Sequence, residues 1–173
     1  MYIGHGVYKS NLASTVPEWT LPNELPRQID LLREIPEIGG SAFYSSKHFK
    51  RNLQGFQDSL VSRLYKNPAI VPPMSWIDSQ PPQAVSEFKK RRWKGIKWEI
   101  AEGQNEMDKP WRYVIYLNEV GVEFDPDNAE LIFTIIPAED DKFKFSRINR
   151  KKKKYEVRIS VLDRLNNESQ VSD

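Results

Sequence analysis

Residues able to do chemistry are few and scattered in this chain. It has two histidines, His5 and His48, and no cysteine. That excludes disulfides, thiol nucleophiles and zinc-thiolate sites and argues against a metal centre; no metal or other cofactor is expected. Paired carboxylates acting as general acid and base are the next chemistry to seek. Before residue 68 the acids are Glu18, Glu24, Asp30, Glu34, Glu37 and Asp58, and all fall in segments that read as loops or helices. They supply no facing pair. Two basic runs remain, KKRRWK at Lys89–Lys94 and RKKKK at Arg150–Lys154. Brought together, Arg91, Arg92, Trp93, Lys151, Lys152 and Lys153 would form a cationic patch with an aromatic inside it. Such a patch suits phosphates or acidic polysaccharide, with affinity that falls as salt rises.

Composition narrows the classes. The 173 residues carry 26 basic and 24 acidic side chains, a formal charge of +2, with 39% hydrophobic and 29% charged residues. This is ordinary globular material with no global electrostatic signature of nucleic-acid binding. No run approaches the ~20 apolar residues of a membrane span. The start, MYIGHGVYK, lacks a basic segment followed by an apolar core, so no export signal is read there.

The elements that must position these residues are divided by a joint, NPAIVPPMSWIDSQPP (residues 67–82), which holds five of the twelve prolines. Proline fixes φ and removes a backbone donor, so this stretch is neither helix interior nor central strand. Its Ile70, Val71, Met74, Trp76 and Ile77 would gain by lying on a surface, which makes it a docked strap. Trp76 is expected to dock on the side of the preceding unit. The division is therefore 1–67, a proline-rich linker 68–82, and 83–173.

In the first unit, residues 1–8 read as a short buried strand whose Gly4 and Gly6 allow close backbone approach. Asn23 offers an N-cap to a helix with Pro26 in its first turn, with Leu25, Ile29 and Leu32 on one face and an end near Pro36. SAFYSS (41–46) reads as a second strand, and Leu53, Phe56, Leu60 and Leu64 recur at helical spacing. Strand-helix-strand-helix implies parallel strands with crossover helices. Two strands cannot make a parallel sheet covered on both faces, so the unit reads as incomplete.

The phrases YIGHGVYK, LPNELPRQIDLLREIPEIGGSAFYSSKHF and LYKNPAIVPPMSWID, in that order and spacing, resemble the end of the catalytic barrel in bacterial glycosyl-hydrolase-like proteins of the family-10-like kind. There the last two βα units of a TIM-type barrel run through a proline-rich segment into a fibronectin type III-like module. The resemblance implies that the strand with Tyr2–Tyr8 corresponds to the seventh barrel strand and that with Ala42–Ser45 to the eighth. Active sites of such barrels lie at the C-terminal strand ends. Tyr8, Lys9, Ser45 and Lys47, with Ser46 beside them, would then stand at the substrate rim, with His5 a packing histidine and His48 on the approach to the helix. A full barrel takes about 250 residues, and glycosidases flank the scissile bond with two carboxylates. Those acids would come from earlier strands, so this polypeptide alone is expected not to be catalytic.

From Ala84 the period changes to strands: AVSEF, GIKWEI, WRYVIYL, ELIFTII, KFKFSRI and YEVRISVL. In the last, Tyr155, Val157, Ile159 and Val161 alternate with Glu156, Arg158 and Ser160, which predicts one core face and one solvent face. Several short strands in about 90 residues suggest an antiparallel immunoglobulin-like sandwich. The detail resembles a fibronectin type III module, with Trp98 as the buried tryptophan of the second strand and Tyr155 as the tyrosine-corner residue. Both basic runs fall at one pole of such a sandwich, together with the acidic stretch EVGVEFDPDNAE (119–130), whose charges would neutralise them as solvated turns.

The expected fold is thus an α/β remnant of two βα units plus an all-β immunoglobulin-like, fibronectin type III sandwich. The expected role is part of a glycoside hydrolase with an accessory module; the alternative is a non-enzymatic carbohydrate- or protein-binding module. The partners this implies are an oligo- or polysaccharide met through a larger protein, and a missing barrel portion or self-association across uncovered apolar surface; nucleic acid and a membrane span are not among them. Through the resemblance, the expected location is the periplasm or cell surface of a bacterium, or outside it as a secreted protein.

Overall fold

The computed structural model describes residues 1–91, 95–99, 103, 105–144 and 155–172, with the backbone alone at 87, 90 and 91. The chain divides into two compact units, Met1–Lys66 and Asn67–Asp173.

In the first unit, β1 (Tyr2–Gly6) and β2 (Gly40–Tyr44) pair in parallel, Tyr2 opposite Gly40 through Gly6 opposite Tyr44. α1 (Glu24–Arg33) connects them. Asn23 occupies its N-cap position but makes no side-chain capping bond; its carbonyl accepts from Arg27 N–H at 2.9 Å. The first turn is held by Glu24, which accepts from Arg27 at 2.9 Å and Gln28 at 2.8 Å.

The second helical stretch is broken, where the apolar spacing implied one continuous helix. α2 (Ser46–Lys50) is followed by a 3-10 turn at Leu53–Gly55, α3 (Phe56–Ser59) and a π turn at Leu60–Leu64. The break lies at Asn52, Gln54 and Gly55, with φ of 45°, 51° and 73°. Asn52 then caps α3, its Oδ1 accepting from Gln57 N–H at 2.9 Å. Leu53 is therefore outside the core, which consists of Val7, Leu25, Ile29, Phe56, Leu60 and Leu64 with Trp19, Phe43 and Phe49 packed against it. Each fully buried aliphatic or phenyl side chain stabilises by about 1.5–3 kcal/mol, and this cluster fastens the helices to one face of the sheet.

The other face is bare, contrary to the expectation of a buried first strand. Tyr2 is 61% and Tyr44 70% exposed. A Cβ built on Gly4 would meet nothing within 4 Å, so no backbone approaches there.

In the second unit, β3 (Ser86–Arg91), β4 (Gly95–Glu99) and β7 (Lys142–Phe143) form one antiparallel sheet in the order β3-β4-β7. A second antiparallel sheet has the order β6-β5-β8, with β5 (Arg112–Glu119), β6 (Ile132–Pro137) and β8 (Tyr155–Leu162). Residues of both sheets share a core: Val85, Ile96 and Trp98 with Tyr113, Ile115, Ile159 and Val161. Trp98 meets the Tyr113 ring edge-on at 5.1 Å. Gly95 is required where β4 passes β7, since a Cβ there would lie 1.9 Å from the Phe143 carbonyl oxygen.

The β6-β5-β8 sheet is covered on both faces, and this corrects the one-sided pattern read from β8. Val114, Tyr116, Ile132 and Leu162 form a further core, joined by Ile70, Phe124, Leu131 and Val171. Tyr155, expected in the core, opens β8 opposite Glu119 and is 38% exposed. On β5 the buried Tyr116 hydroxyl donates to Glu168 at 2.5 Å. Burial and the Glu168 carboxylate push its pKa well above the usual tyrosine range.

Ile70 brings the proline-rich stretch into that core, while Trp76, 79% exposed, docks on nothing in its unit. The stretch is tied down by the turn after β8. Met74 N–H donates to Leu165 O at 3.0 Å. Asn167 Nδ2 bridges the Asp78 carbonyl, 3.1 Å, and the buried Asp163 carboxylate, 2.8 Å, whose other oxygen takes Leu165 and Asn167 N–H at 2.7 and 2.9 Å.

Asn167→Ala removes that bridge and strips a partner from a buried carboxylate, a loss of about 1–3 kcal/mol, to be read as a lower urea midpoint. Trp76→Ala, at an exposed position of the stretch it holds, should stay within about 0.5 kcal/mol of the parent chain.

Candidate functional site

The C-terminal ends of β1 and β2 open into a cleft of about 860 Å³ lined by Gly4, His5, Gly6, Tyr8, Lys9, Ala42, Phe43, Tyr44, Lys47 and His48. Local sequence builds it in three steps. After Gly6 the chain turns through a 3-10 segment at Val7–Lys9, so that Val7 goes into the core while Tyr8 and Lys9 stay outside. On β2, Phe43 packs on the core, so its neighbours Ala42 and Tyr44 take the opposite face. Ser45 then takes the N-cap position of α2, which carries Lys47 and His48 to the rim.

An aromatic wall results. Tyr8 lies 6.1 Å from Tyr44 in an edge-on arrangement and 6.1 Å from the His48 ring. Lys9 Nζ sits 5.5 Å from the centre of the Trp19 ring, a cation-π contact that steadies its ammonium at the mouth. His5 lies behind the wall, on the core side of the sheet with Phe43: it is buried, stacks on Phe43 at 5.2 Å, and its Nε2 lies 3.0 Å from Ser41 Oγ. Burial holds the His5 pKa below its usual value, opposed by a hydrogen bond with Gln28. The His48 pKa is lowered too, by burial and then by the Lys47 and Arg51 charges. Its Nδ1 is buried without a hydrogen-bond partner among the described residues.

The arrangement offers flat rings, two ammonium groups and no carboxylate among its lining residues. It can hold a polar ring or an anionic group. It cannot supply the paired acid and base of glycosidic hydrolysis. Glu24, the buried acid of this unit, has its carboxyl held below the usual range by Gln28 and Arg27 and serves α1.

Of the expected rim residues, Tyr8, Lys9 and Lys47 line the cleft, and Ser45 stands beside it without lining it. Sequence reading missed Tyr44 and His48 as lining residues. The period-2 alternation of SAFYSS was the available signal for Tyr44, which must share a face with Ala42.

Of the surface-patch residues, Arg92, Trp93, Lys151, Lys152 and Lys153 lie outside the described residues, as do most of both basic runs. Arg91 closes β3 opposite Gly95. The acidic 119–130 stretch folds onto its own sheet: Phe124 meets Tyr116 edge-on at 5.3 Å and carries the Arg158 guanidinium 4.9 Å from its ring centre. No helix of the described residues is long and apolar enough to cross a membrane.

The chain thus joins a one-sided parallel βα unit, open at its strand ends, to a unit of two antiparallel sheets. No family model matches it. It is similar to the Bacillus subtilis (strain 168) protein named Glycosyl hydrolase YngK, with 31% identity over 177 aligned positions that cover 99% of this chain and 33% of that protein. The chain spans about a third of the length of this curated relative. The similarity to that protein runs over nearly the whole extent of this chain.

The lowered histidines fix the sign of a pH effect. Above the ordinary histidine value of 6.5, folded and unfolded chains both hold neutral imidazoles. As pH falls below it, the unfolded chain takes up protons first, so stability declines until the lowered folded values are passed. In thermal melts between about pH 7 and pH 5, His5→Gln should flatten this decline. An unchanged slope would show that His5 is not held neutral by its burial.

Proposed function

We propose that this chain is part of a glycoside-hydrolase-related protein of carbohydrate processing. Its first unit would be the last two βα units of a (β/α)8 barrel, and its second a fibronectin type III-like accessory module. The observation that carries this reading is the 31% identity to a protein named a glycosyl hydrolase along 99% of the chain. The parallel pair β1–β2 supports it, being packed with helices on one face and bare on the other, where a barrel would place its interior. So does the sheet order β3-β4-β7 against β6-β5-β8, with Trp98 in the shared core.

In this reading the cleft of Tyr8, Lys9, Tyr44, Lys47 and His48 is a rim subsite. Its rings stack on a saccharide and its ammonium groups hydrogen-bond or pair with it, while the catalytic acids come from strands of the larger barrel. The bare face is the seat of those strands, and in their absence it favours self-association. The whole protein acts on an oligo- or polysaccharide in the periplasm or at the surface of a bacterium.

The 173-residue chain incubated with oligosaccharides should release reducing ends no faster than buffer. Tyr44→Ala should weaken saccharide binding at the cleft about five- to tenfold, the loss of one stacking ring worth about 1 kcal/mol, as measured by calorimetry. Hydrolysis by the chain alone would refute its dependence on a larger barrel. Saccharide binding indifferent to Tyr8→Ala and Tyr44→Ala would refute the rim assignment.

A further inference from the structure

A second place for a sugar ring lies in the other unit. Trp111 precedes β5, and its backbone is fixed on both sides: its N–H donates to Leu162 O at 2.7 Å and its carbonyl accepts from Ala138 N–H at 3.2 Å. Its side chain is 43% exposed, unlike the core residue Trp98. The Arg164 guanidinium carbon lies over the indole, 5.2 Å from the ring centre. A hollow of about 390 Å³ has Trp111 in its lining, with Arg112, Ile135, Ile136, Pro137 and Glu139 and without Arg164. Arg164 steadies an indole that stays partly exposed.

The hollow's chemistry selects its occupant. Its volume falls in the range of about 300–1,000 Å³ typical of small-molecule sites. It offers one cation, Arg112, and one anion, Glu139, so neither sign of ligand charge is favoured. The donors of Arg112 and the acceptors of Glu139 suit a ligand that both donates and accepts hydrogen bonds. Pro137 supplies an apolar edge, and β6, an edge strand of its sheet, presents backbone groups beside it where Ile135 and Ile136 turn to opposite cores. A pyranose has C–H faces that stack on indole and hydroxyl groups that do the rest.

We propose that Trp111, backed by Arg164 and flanked by Arg112 and Glu139, forms a surface subsite for an uncharged pyranose of an oligosaccharide chain. The subsite is separate from the cleft at the ends of β1 and β2. It holds the glycan without acting on it, because Glu139 has no second carboxylate beside it among the lining residues.

The test uses the ¹⁵N-labelled full chain, whose five tryptophans give indole N–H resonances assignable by single Trp→Phe variants. Cellotetraose and chitotetraose, two uncharged tetrasaccharides, are titrated separately. With at least one of them the Trp111 signal should move saturably while that of Trp98 stays in place. Arg164→Gln should weaken binding severalfold and Trp111→Ala at least tenfold, with unchanged urea midpoints confirming that each variant folds. If Trp111→Ala fails to fold, Arg164→Gln and Glu139→Gln carry the test. Tyr44→Ala should leave the Trp111 response intact. The proposal falls if the Trp111 signal is unmoved by both sugars at millimolar concentration, or if the folded variants bind with the affinity of the parent chain. It also falls if the Trp111 response disappears in Tyr44→Ala, which would place the ligand in the first unit and leave the rim assignment standing.

Discussion

A two-stranded parallel sheet has two faces and, in this chain, one cover. Val7, Leu25, Ile29, Phe56, Leu60 and Leu64 form the core on one side of β1–β2. On the other side stand glycine, alanine and exposed tyrosine. Parallel strands ordinarily need both faces buried, because crossover helices pack from outside and something must fill the inside. Small residues at Gly4, Gly6 and Ala42 are what a crowded interior would require, and a solvated face has no use for them. The candidate site follows from that constraint: its cleft exists because the face is open.

The second unit solves the same problem differently. Its β6-β5-β8 sheet is buried on one face by the opposing sheet and on the other by Ile70, Phe124 and Leu131. The proline-rich stretch is thus a piece of core covering as well as a connector. The Asp163–Asn167 turn fixes it through Met74 N–H to Leu165 O and Asn167 Nδ2 to Asp78 O, and the turn is itself held by the Asp163 carboxylate, which accepts from backbone and amide donors. A buried charge held in this way is tolerated, whereas an unpaired one would be expelled or neutralised.

Much of this was legible from spacing alone. Leu25 and Ile29 announced the inward face of α1, and Pro26 marked its first turn. The change from helical to alternating period near Ala84 separated the two kinds of architecture. What escaped had physical causes. The break at Asn52–Gly55 depends on left-handed backbone and a side-chain cap, which apolar periodicity does not register. Tyr155 was misplaced because alternation tells which residues share a face but not where along the strand the cover ends. Alternation puts Tyr44 on the face of Ala42, but no sequence spacing shows that this face stays bare. The role of Asn167 was invisible because it joins residues 89 positions apart, and nothing local in NNES hints at Asp78.

Amide hydrogen exchange on the intact chain reads most directly whether β1 and β2 are, as we propose, part of a larger barrel. Amides of β1 and β2 should exchange through local opening, far faster than those of β5 and β8, which should wait for global unfolding of their unit. Protection of Ile3, His5 and Phe43 amides equal to that of Tyr113 and Ile115 would contradict the account, because it would mean the small sheet is sufficient as it stands.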